Sequence, residues 1–83
     1  MTTITLLTQG SCASCDQAKA ALTRLADEFP LQIQEVSLES DEGRSLAAEN
    51  GVLFAPGVLL DGAMFSYGRL PEKKLRKRLI EQA

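Results

Sequence analysis

The apolar positions of this chain follow two periods in turn. Ile4-Thr5-Leu6-Leu7 is a short apolar run with a β-branched start, the pattern of a buried strand. From about Cys12 to Phe29 the period lengthens. Ala18, Leu22, Leu25 and Phe29 fall on one face of a helix, with Ser11 expected as its N-cap. Pro30 excludes the helical conformation at the residue before it and ends that helix. Leu31 to Leu38 reads as a second strand whose apolar residues do not keep to one parity, which leaves a bulge or an edge position open. Ser40 followed by Asp41 and Glu42 starts a second helix to about Glu49, with Leu46 and Ala47 inward and Gly51 as a left-handed cap. Val52 to Pro56 is a loop. Val58-Leu59-Leu60 and Ala63 to Tyr67 are two strands joined by the hairpin dipeptide Asp61-Gly62. Gly68 breaks the last strand. A third helix runs from about Pro71, in its first turn, to Glu81, with Leu75 and Leu79 facing the sheet.

The predicted order is therefore β-α-β-α-β-β-α. A helix between the first two strands makes them a parallel pair with a right-handed crossover, and the hairpin makes the last two antiparallel. This predicts an α/β fold with a four-stranded mixed sheet and helices on both faces. At 83 residues the chain is expected to form a single domain, residues 1–83, which buries about 60% of its unfolded surface.

Composition narrows the chemistry. There is no His, which removes His-based acid–base catalysis and most catalytic zinc sites. No stretch is apolar enough to span a bilayer, and no secretory signal is visible at Met1-Thr2-Thr3-Ile4. A single pair of cysteines is not a disulfide framework, so the expected location is the reducing cytoplasm, away from membranes. The net charge of −2 is unevenly spread. Residues 1–68 carry 3 basic and 9 acidic groups, whereas residues 69–83 carry 6 basic and 2 acidic groups. Arg69, Lys73, Lys74, Arg76, Lys77 and Arg78 read as a solvated helix face, with docking to an acidic partner as the second reading. Nucleic acid is not expected, since no aromatic platform accompanies these charges.

The two cysteines carry the functional signal. Cys12 and Cys15 are spaced C-x-x-C, after a strand and at the opening of a helix. There the unpaired backbone N–H groups and the helix dipole favour an anion, and the thiolate is the nucleophilic form of cysteine. Cys15, one turn further in, is close enough to close a disulfide. Lys19 either adds positive potential or is a solvated helix residue. Asp16 either opposes the thiolate or serves as an acid in the first helical turn.

With C-x-x-C at the first strand–helix junction and Pro56 just before the third strand, the whole chain resembles a thioredoxin-fold protein of glutaredoxin size. The resemblance implies that Cys12 is the nucleophile, that Cys15 is the resolving thiol and that Pro56 is cis. It also implies a substrate groove at Ala55, the residue before that proline, with Ala13, Ser14, Tyr67 and Gly68 around it. The family's redox electrons come from an external reductant, with no bound cofactor and no metal. Many glutaredoxins place a basic residue three before the first cysteine to bind the glutathione carboxylate, where this chain has Gln9. They also carry a Gly-Gly turn followed by Cys or Ser and Asp, where this chain has Tyr67-Gly68-Arg69-Leu70-Pro71. That stretch is similar to the glutaredoxin-like redoxins reduced by thioredoxin reductase, which carry an aromatic residue and then Ser-Gly-Phe-Arg-Pro-Asp.

The expected function is thiol–disulfide oxidoreduction on a disulfide-containing protein target, by a monomer reduced by thioredoxin reductase and NADPH. Glutathione-dependent glutaredoxin activity is the first alternative. A dithiol that binds a soft metal or shares an iron–sulfur cluster is the second, although one chain without His or a third Cys cannot complete a four-ligand zinc site.

Overall fold

The computed structural model describes residues 1–82. Strand β1 spans Thr2–Thr8, helix α1 Ala13–Glu28, β2 Leu31–Ser37, α2 Asp41–Asn50, β3 Gly57–Leu60, β4 Ala63–Tyr67 and α3 Glu72–Gln82. The element order and the mixed sheet are those the hydrophobic pattern predicts. The strands lie side by side in the order β2-β1-β3-β4, with β1 and β2 parallel and the other two pairs antiparallel.

Each helix forms because its apolar stripe has a sheet face to cover. Ile4 and Leu6 of β1 and Val58 and Leu60 of β3 point to one face. There they meet Ala18, Ala21, Leu22 and Leu25 of α1 and Leu75 and Leu79 of α3. Leu22, Leu25 and Leu75 are fully buried, and each contributes about 1.5–3 kcal/mol by leaving water. The opposite face is smaller. Leu7, Leu59 and Val52 are buried there, with Leu46 and Ala47 of α2 packed over them half-buried.

Several boundaries differ from the expectation for local reasons. Ser11 is not the N-cap of α1. It stands at φ 52, and the cap is Cys12, whose side chain accepts from the N–H of Cys15. The helix ends at Glu28, with Phe29 in extended conformation as its C-cap. Pro71 lies just outside α3 and contributes its carbonyl to the N–H of Leu75. Strand β2 ends at Ser37 rather than Leu38, though Leu38 N–H still reaches the carbonyl of Thr8.

The irregular parity of β2 is explained by its place at the sheet edge. All seven of its residues pair with β1 in unbroken register, so it holds no bulge. The register irregularity lies instead between Val58 and Leu59, where β3 pairs with β4. No helix among the described residues is long and apolar enough to cross a membrane.

Candidate active site

The site is built at the end of the sheet where β1 delivers the chain to α1. Cys12 is half-buried at the cap position, and Cys15, one turn on, is only 2% exposed. They are joined as a disulfide, with Cα atoms 5.2 Å apart. The N–H of Cys15 donates to Cys12 Sγ at 3.1 Å, and the N–H of Asp16 donates to the Cys12 carbonyl at 3.2 Å. A free backbone N–H group at a helix end is the kind of surrounding that favours a thiolate over a thiol.

Register brings the proline to the same end. Leu7, at the end of β1, pairs with Gly57, and Gly57 pairs with Tyr67. Pro56 precedes Gly57, is buried, and follows Ala55 through a cis peptide bond, as the resemblance implied. Its carbonyl accepts from the N–H of Gly68 at 2.9 Å. Ala55 and Tyr67 are therefore the partly exposed residues at this end, with Pro56 and Gly68 buried beneath them. Ala13 is exposed and Ser14 half-buried on the first turn of α1.

Two features escaped the sequence reading. Phe54 is 57% exposed yet held in place, its ring packed edge-on against Tyr67 at 5.0 Å between centroids. Beside it Leu53 is 75% exposed. The signal was two successive apolar residues in a loop just before Ala55-Pro56. The second feature is Glu35 of β2. It is the register partner of Leu6, and it meets Lys19 Nζ at 3.2 Å while accepting from Thr8 Oγ1 at 3.4 Å. A polar pocket of about 350 Å³ is lined there by Cys12, Cys15, Asp16, Lys19, Glu35 and Ser37. The signal was the break in the apolar alternation of β2 at Glu35.

A family model described as the thioredoxin domain matches residues 2–81. The chain belongs to that family. This thioredoxin domain is also similar in fold to several solved structures. A mutant thioredoxin of Halobacterium salinarum NRC-1 superposes with a TM-score of 0.74 at 20% identity, over 96% of this chain and 73% of that one. An uncharacterised thioredoxin-like protein of Clostridium perfringens gives 0.78 at 18% identity, over 98% and 70%. A thioredoxin-like protein solved as a point mutant gives 0.72 at 22% identity, over 93% and 97%. At such identities the likeness is one of fold. The search of the curated proteins returned no match. A thioredoxin domain with a C-x-x-C pair at the opening of its first helix points to a thiol–disulfide oxidoreductase.

Proposed function

We propose that this thioredoxin domain is a dithiol reductase of protein disulfides, with Cys12 as attacking thiol and Cys15 as resolving thiol. The observation that supports this division of labour is the contrast at the helix end. Cys12 is a half-buried residue whose sulfur receives a backbone N–H, while Cys15 is buried behind it. The Cys12 thiolate attacks one sulfur of the target disulfide and releases the other as a thiolate. Cys15 then attacks the Cys12 sulfur of the mixed disulfide, frees the second target thiol and leaves Cys12–Cys15 oxidised.

The target docks on Ala13 and Ser14 at one side of the sulfurs and on Ala55, Pro56, Tyr67 and Gly68 at the other. The electrons come from thioredoxin reductase and NADPH rather than glutathione. What supports this choice is the neutral Gln9 and the absence of a carboxylate in Tyr67-Gly68-Arg69-Leu70-Pro71. The working form in this reading is a cytoplasmic monomer that needs no bound cofactor or metal.

Cys12→Ser is expected to abolish reduction of an insulin-type protein disulfide and to trap no mixed disulfide. Cys15→Ser is expected to trap the target covalently on Cys12. Full activity in Cys12→Ser overturns the reading. So that both reductants are judged on one footing, oxidised protein is offered NADPH with thioredoxin reductase beside glutathione alone. Turnover with the reductase only is the expected result, and turnover with glutathione alone overturns the choice of reductant.

A further inference from the structure

The pocket beside the dithiol has a sign as well as a volume. Cys12 and Cys15 are both among the residues that line its 350 Å³, so a molecule lying in it is beside the dithiol. The charged side chains that line it are Asp16, Lys19 and Glu35. Its one ammonium is already engaged, since Lys19 sits 3.2 Å from Glu35. Glu39 adds a third carboxylate at the rim, its Oε1 3.4 Å from the N–H of Gly10, a residue of the pocket wall. Two carboxylates against one ammonium leave the lining at −1, and Glu39 at the rim adds to that sign, since Arg44, which donates to the Glu39 carbonyl at 2.7 Å, is itself paired with Asp41. The N-terminus of α1 offsets only about half a charge.

We propose that this pocket admits low-molecular-weight disulfides and selects them by charge, taking disulfides with cationic ends, those of aminothiols, over anionic ones. The proposal rests on the oxidoreductase reading and names a substrate class for the same sulfurs. To react, a substrate sulfur must come to bonding distance of Cys12. A charged group two carbons from that sulfur is then next to the pocket that Asp16 and Glu35 line, and nearby charges of opposite sign attract it most at low ionic strength. Walls of low dielectric constant around a cleft of one sign concentrate ions of the opposite sign.

The step balances in the same way as with a protein target. Cys12 thiolate displaces one small thiolate and forms a mixed disulfide. Cys15 thiolate displaces the second, and the protein dithiol loses two electrons and two protons to give two small thiols.

Three disulfides of one size test this: cystamine with two ammonium ends, bis(2-hydroxyethyl) disulfide with none, and dithiodiglycolate with two carboxylates. Reduced protein is mixed with each at pH 7, and formation of the Cys12–Cys15 disulfide is timed. Every rate is divided by the rate of the same disulfide with free dithiothreitol, which removes its intrinsic reactivity. The ratio between two disulfides also removes the thiolate fraction of Cys12, so a substitution that only changes thiol reactivity leaves the ratio unmoved.

Cystamine is expected to exceed dithiodiglycolate by about tenfold at low ionic strength, falling towards unity by about 0.5 M salt. The double variant Asp16→Asn/Glu35→Gln is expected to collapse the ratio, and Lys19→Gln to raise it. The salt series needs only the unmodified protein, so it stands whether or not the double variant folds. Equal normalised rates for the three disulfides overturn charge selection and leave the dithiol reading intact. Failure of all three to form the disulfide overturns the dithiol reading itself.

Discussion

Gly43 and Gly68 mark places where a side chain has no room. A Cβ on Gly43 would overlap the carbonyl oxygen of Ser37, so α2 reaches the end of β2 only because this position is bare. Gly43→Ala is expected to destabilise the protein by about 1–3 kcal/mol, the usual cost of overpacking, read from the denaturant midpoint at unchanged slope. Gly68 stands at φ +81, and a Cβ there would come within 2.9 Å of the Phe54 ring. Gly68→Ala is expected to cost about 1–2 kcal/mol for the left-handed conformation. It would also displace Phe54 from Tyr67, which the near-ultraviolet dichroism of the aromatic residues would record. The cysteines differ at the same scale. Reduced protein is expected to be alkylated at Cys12 well before Cys15, because burial withholds the second sulfur; mass mapping after a short pulse of iodoacetamide reads the order.

At the scale of elements, α1 and α3 are held to the sheet by apolar packing and to each other by surface ion pairs. Leu22→Ala opens a cavity under α1 and is expected to cost about 2–5 kcal/mol. The ion pairs join Arg24 to Glu72 and Arg76 to Glu28. The Glu72 carboxyl is held below its ordinary value, first by its hydrogen bond from Arg24, then by the charges of Arg24 and Arg76, against a burial effect of opposite sign. The sign of the linkage follows. A carboxyl with a lowered folded-state pKa adds stability above its unfolded value, and that stability is lost as pH falls through the folded value. Glu72→Gln is therefore expected to lower the melting temperature at pH 7, with the gap to the unmodified protein closing below about pH 4.3. A gap that persists at pH 2 would show that Glu72 acts through packing rather than charge.

Over the whole molecule the two sheet faces are unequal. Among the described residues, eleven buried ones form the cluster that includes α1 and α3, and three form the one under α2. The face with less apolar burial has less to hold it, and α2 also presents its charged residues to water. Amide exchange is expected to be fastest in the last two turns of α2 and slowest in β1, β3 and the middle of α1. Equal protection of α1 and α2 would contradict this ordering.

By itself the sequence determined what depends on neighbours along the chain. The switch of apolar period fixed strand or helix. Pro30, Gly51 and Asp61-Gly62 fixed the breaks, because their backbone preferences act locally. The C-x-x-C pair at a strand–helix junction declared thiol chemistry, because a helix end favours an anion whatever lies around it. The cap of α1 lies one position beyond Ser11 because the Cys12 sulfur takes the capping role usually filled by oxygen. Only tertiary structure decided that β2 lies at an edge and that its Glu35 meets Lys19 of α1. It alone brought Phe54 against Tyr67, and Pro56 to the end of β1. Those are contacts between residues far apart in sequence, and a linear pattern carries the face a side chain takes but not the partner it meets there.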